Sequence, residues 1–132
     1  MTLVVDTSAL AAIVLGEPDA ELILTTMRRF AGDVDVSTAT LVEAGIMIEA
    51  KQGAQAVDDL HELMAGLQVR VVPFDEVQAR AAHAAWRRFG KGRHPAGLNL
   101  GDCFAYALAK TTGSPLLYTG HDFAQTDIAG VG

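Results

Sequence analysis

The sequence predicts an α/β domain of three layers, with helices on both faces of a mainly parallel central sheet. Two observations carry this reading: short apolar, β-branched runs at Leu3–Val5, Val34–Ser37, Val69–Val72 and Leu116–Tyr118, and segments of helical period between them. Length is a third. At 132 residues and 50% apolar composition the chain has material for one continuous core, so residues 1–132 are read as one domain without repeat or linker.

The elements follow in order. Leu3–Val5 runs straight into Asp6-Thr7-Ser8, polar residues suited to ending a strand and capping a helix over Ala9–Leu15. The strand Val34–Ser37 leads to a helix over Ala39–Lys51 closed by Gly53, and the next helix, Ala54–Leu67, carries Leu60, Leu63, Met64 and Leu67 at helical spacing. Val69–Val72 ends at Pro73, after which Asp75 caps a helix running through Ala81 and Ala85 to Phe89. Gly90–Gly97, rich in glycine, proline and basic residues, is a loop. A helix from Asn99 or Leu100 to about Thr112 ends at Gly113 and Pro115, and Leu116–Tyr118 and a short Ile128–Val131 complete the strands.

Composition narrows the function classes. A net charge of -6 argues against a partner held by bulk positive charge, so nucleic-acid binding requires a local basic patch. The single Cys103 excludes an internal disulfide and fits a reducing cytoplasm. The apolar opening Met1–Gly16 lacks the basic start of a signal peptide and carries Asp6 within it, so it is read as strand and helix. No apolar run approaches the ~20 residues of a membrane helix.

Parallel sheets place ligands at the carboxyl ends of their strands. Asp6 follows the first strand, Glu43 lies in the first turns after the second, Asp122 follows Leu116–Tyr118, and Asp102 opens the helix leading into that strand. Each has an ordinary structural reading: Asp6 as a helix cap, Thr40-Leu41-Val42-Glu43 as a capping box, Asp102 as a complement to the helix dipole, Asp122 as a turn residue. Their convergence favours a site instead, because crowded carboxylates raise one another's pKa and are relieved by a cation. All-oxygen ligands suit Mg²⁺ or Mn²⁺, one or two ions, and the natural chemistry of such a site is phosphodiester cleavage. His61, His83, His94 and His121 show no pairing with Cys103 that suggests zinc, and no Gly-x-Ser-x-Gly or Gly-Lys-Ser/Thr motif occurs.

Four of the ten basic residues, Arg87, Arg88, Lys91 and Arg93, cluster with His94, Trp86 and Phe89 just before Asp102. Cations at a helix C-terminus complement its dipole, which accounts for the first three but not for Arg93 and His94. The segment is positioned to hold RNA phosphates, with a base stacked on an exposed ring.

Together these residues resemble the PIN-domain family, in particular the VapC toxins. Val5-Asp6-Thr7-Ser8-Ala9-Leu10 is similar to the opening motif, Glu43 stands at the second acidic position, and Leu100-Gly101-Asp102-Cys103 is similar to the third. Gly92-Arg93-His94-Pro95-Ala96, Leu98-Asn99 and Thr119 to Ile128 resemble one VapC subgroup, so the likeness spans nearly the whole chain. It implies a Mg²⁺- or Mn²⁺-dependent endoribonuclease toxin acting on structured RNA such as tRNA, inhibited by a VapB-type antitoxin and usually a homodimer. Asp6 and Asp102 would be the principal metal ligands, Glu43 a ligand or water-positioner, and Thr7 or Ser8 supporting hydrogen-bond groups. The chain departs from the family at Gly120, where many members carry an acidic or amide residue, so Asp122 is the available fourth carboxylate.

Two rival readings remain at this level. A phosphatase of the haloacid-dehalogenase type also places an Asp after its first strand but expects a second Asp two positions on, where this chain has Ser8. A non-catalytic RNA- or protein-binding module would use the acidic residues only as caps.

Overall fold

The computed structural model describes residues 1–131. Four parallel strands, β1 (Leu3–Val5), β2 (Val34–Ser37), β3 (Arg70–Val72) and β4 (Leu116–Leu117), lie in the order β3-β2-β1-β4. Six helices join them: α1 (Thr7–Val14), α2 (Ala20–Arg29), α3 (Thr38–Gln52), α4 (Ala54–Gly66), α5 (Glu76–Phe89) and α6 (Leu100–Thr112).

Alternation along the strands sorts the helices into layers. Leu3, Val5, Val36 and Leu117 pack with Leu10, Met27, Ile48 and Leu60 of α1–α4. Val4 and Leu116 point the other way, into Ala85, Phe89 and Leu108 of α5 and α6. The result is the three-layer α/β/α arrangement the sequence predicts. The chain steps outward from β1 to β2 and β3, then returns to the far side of β1 for β4, so the carboxyl ends of β1 and β4 flank a switch in strand order.

A cross-strand ion pair reinforces the β2–β3 register. Asp35 and Arg70 are Cα partners, and the guanidinium donates twice to the buried Asp35 carboxylate, at 3.0 and 2.7 Å.

Several local features differ from the sequence reading. The helix α2 has no counterpart in it; Ile23 and Met27 bury one helical turn apart, while Glu21 and the pair Arg28–Arg29 complement the dipole at opposite ends. The first helix begins at Thr7, because Asp6 itself is the cap. The capping box read at Thr40–Glu43 does not form: Ser37 caps α3 through the Ala39 N–H at 3.2 Å, which leaves Thr40 inside the helix and Glu43 available elsewhere. The strand expected at Ile128–Val131 reduces to one parallel bridge, Leu116 with Gly130. Side chains, not a ladder, hold this segment: Phe123 is buried, and Asp127 accepts from Tyr106 Oη (2.6 Å) and Lys110 Nζ (2.9 Å). Among the described residues, no helix is long and apolar enough to cross a membrane.

Candidate active site

Asp6 ends the central strand and caps α1. Its Oδ2 accepts from the Ser8 N–H (3.1 Å) and the Ser8 hydroxyl (2.7 Å), while its Oδ1 is buried with no hydrogen-bond partner. Ser8 Oγ in turn accepts from the Thr119 N–H at 3.0 Å, which ties the end of β4 to the end of β1. The Thr7 hydroxyl donates to Glu43 Oε1 and so joins α1 to α3.

Asp102 lies in the first turn of α6, in a capping box with Asn99. The Asn99 side chain accepts from the Asp102 N–H at 2.9 Å, and Asp102 Oδ2 accepts from the Asn99 N–H at 3.1 Å. Asp122 stands exposed at the start of the short 3₁₀ turn Phe123–Gln125.

Asp6 and Asp102 each feel the charge of neighbouring acids. Burial pushes the Asp6 carboxyl up to about 7 against the pull of the two Ser8 bonds, and Asp102 and Glu43 add repulsion. Burial likewise raises Asp102 to about 6 against its Asn99 bond, with Asp122 and then Glu43 adding to the rise. Burial also pushes the Cys103 thiol up to about 11, which makes it a packing group and not a nucleophile.

Among the described residues, no three His, Cys, Asp or Glu side chains close into a compact ligand group. The residues nonetheless fit a hard cation. The buried, unpartnered Asp6 Oδ1 lacks a positive partner, and the donor set is all oxygen. A Mg²⁺ ion is held through one or two carboxylates with water completing the shell, so an open set suffices.

The basic segment divides. Arg88 turns to Asp127 at 3.4 Å and lies over Phe89, and Arg93 lies over the Trp86 ring while its Nε donates to the Arg87 carbonyl. His94 Nδ1 accepts from the Ala96 N–H at 3.0 Å. Arg87 and Lys91 are exposed, and Lys91 lines an apolar groove of about 530 Å³ shared with Trp86, Leu100 and Phe104.

The family model described as "PIN domain" matches residues 3–129. A ribonuclease VapC of Mycolicibacterium smegmatis is 48% identical over 131 residues, covering 98% of this chain and 99% of the relative. The crystal structure of Mycobacterium tuberculosis VapC20, described as a sarcin-ricin loop cleaving toxin, superposes with a TM-score of 0.76 at 18% identity, covering 98% of each chain. DNA-bound VapBC from Salmonella typhimurium gives 0.74 at 15% identity, covering 100% of this chain and 97% of that one. The chain belongs to the PIN domain family, and within it to the VapC ribonucleases. That membership removes the dehalogenase-type phosphatase as a reading of the fold.

The raised carboxyls make a prediction about stability. Both folded values stand above the ordinary 3.8, so the folded state holds these protons more tightly than the unfolded chain. Metal-free protein is therefore most stable below about pH 4 with respect to these groups and loses that stability progressively between about pH 4 and pH 7, with Asp6 alone contributing roughly 4 kcal/mol. Asp6→Asn, which retains a good helix cap, should flatten the profile in urea unfolding at pH 5 and 8. An identical pH dependence in the variant contradicts the assignment.

Proposed function

We propose that this chain is a divalent-metal-dependent endoribonuclease toxin that cuts structured RNA such as tRNA and is neutralised by a VapB-type antitoxin. The observation that carries the reading is the buried Asp6 carboxylate, with one oxygen unpartnered and two further acids raising its pKa. Asp6 and Asp102 are the principal ligands for Mg²⁺ or Mn²⁺, Glu43 is a ligand or water-positioner, and Asp122 acts at longer range. When bound, the metal supplies Lewis-acid activation of the attacking water and relief of charge on the leaving oxygen. Ser8 holds Asp6 in place, and Thr7 holds Glu43. Arg87 and Lys91 take RNA phosphates, with Arg88, Arg93 and His94 shaping the segment that presents them.

The partner reading rests on an apolar face beside the acids. Val42 and Ile46 of α3 meet Leu100 and Phe104 of α6 along one groove, with Ile46 68% and Leu100 72% exposed. Such a face is suited to a second copy or an antitoxin helix, and an antitoxin Arg set against the acids would compete with the metal. A reducing cytoplasm is the compartment in which RNA and antitoxin would be met.

The decisive experiment incubates the purified chain with total RNA, with and without Mg²⁺ or Mn²⁺, and maps the cut ends. Asp102→Asn should abolish divalent-dependent cutting, whereas Asp122→Asn should raise the half-saturating metal concentration by roughly 10-fold and leave activity at saturating Mn²⁺. Equal losses in both variants would make Asp122 a direct ligand, and wild-type cutting by Asp102→Asn removes the active-site assignment.

Neutralising Arg87 and Lys91 should lower the salt slope of RNA binding by about one for each phosphate left without its cation. Neutralising Arg88 alone should change it less, since that side chain already faces Asp127. An unchanged slope in the Arg87/Lys91 double variant would return these cations to a solvated helix end.

A further inference from the structure

Gly101 is the second residue of α6 and is buried beneath the Glu43 carboxylate. A Cβ at that position would collide with the Glu43 Oε2, Cδ and Oε1 atoms together. The capping box of Asn99 and Asp102 fixes the first turn of α6, so the backbone under Glu43 has little freedom to withdraw. From the other side, the Thr7 hydroxyl donates to Glu43 Oε1. The carboxylate therefore sits between three helices, α1, α3 and α6. It also lies beside the α6 amino end, whose unpaired N–H groups favour an anion. Glycine is a poor helix former, and alanine would serve α6 better on propensity alone. The missing side chain has its reason in the neighbour it admits.

We propose that Gly101 is a positioning residue: by carrying no side chain it seats Glu43 against Thr7 and so sets the metal affinity of the acidic cluster. This deepens the ribonuclease reading and rests on it for the metal.

The test uses the full chain without RNA, with Mn²⁺ alone titrated by calorimetry. Gly101→Ala should weaken Mn²⁺ binding about as much as Glu43→Gln does, roughly 10-fold, and adding Gly101→Ala to Glu43→Gln should cost nothing further. A second arm needs no metal. Thr7→Val and Glu43→Gln should be coupled in urea unfolding in the wild-type background and uncoupled when Gly101→Ala is present. Wild-type Mn²⁺ affinity in Gly101→Ala, or a coupling that persists in its presence, overturns the proposal. A wild-type chain that binds no Mn²⁺ sinks the metal reading of the site, and the coupling arm then decides the role of Gly101. Should Gly101→Ala not fold, Glu43→Ala in the same chain should restore folding by removing the colliding carboxylate. Failure of that rescue means Gly101 serves the backbone alone, and the proposal falls.

Discussion

A carboxylate buried at the end of a central parallel strand is costly to keep ionised, and the arrangement around Asp6 answers that cost only in part. Ser8 gives one oxygen two donors, but the other oxygen has none, and desolvation outweighs the Ser8 bonds. The position is forced by topology. Because β1 lies between β2 and β4, Asp6, the residue that follows it, stands at the carboxyl edge where the strand order switches. Once Asp6 is fixed there, the other acids can gather only by arriving from separate elements: Glu43 from α3, Asp102 from α6 and Asp122 from the turn after β4. Neighbouring acids add to desolvation in raising both Asp6 and Asp102, a burden that a bound cation would relieve.

Helix caps do double duty in this arrangement. Asp6 caps α1 through Oδ2 and keeps Oδ1 free, and Asp102 completes a capping box through its own Oδ2. A cap bond to one oxygen holds a carboxylate in a single orientation without using up its second oxygen. The structural and the chemical readings of these residues are thus compatible. Glu43 follows the opposite rule. Ser37 takes over the capping of α3, and that exchange of roles frees Glu43 to meet Thr7.

Much of this is legible in the amino-acid sequence. The strands β1 and β2, the cap Asp75 and the extents of α5 and α6 follow from local signals: β-branched runs, capping residues, and glycine at a helix end. What local signals do not carry is which side chains meet. Thr40 to Glu43 satisfies the capping-box pattern, yet the cap of α3 stands three residues earlier, at Ser37, so the pattern falls inside the helix. The helix α2 follows a glycine and proline turn, and the helical spacing of Ile23 and Met27, with Leu24 packed beside them, is a signal that the sequence reading passes over. Asp127 has no sequence signature because its partners, Arg88, Tyr106 and Lys110, come from two other helices. The same holds for the clearance at Gly101, which is invisible until α3 and α6 are packed.

The central claim is that Asp6, Glu43 and Asp102 form the binding site of a divalent cation. Crystals of the chain soaked in millimolar Mn²⁺ and measured at the manganese absorption edge test it most directly. The account predicts an anomalous peak in contact with Asp6 Oδ1 and Asp102, absent from crystals of Asp102→Asn. A fully measured map with no peak at this cluster, or with the only peak elsewhere on the molecule, contradicts it.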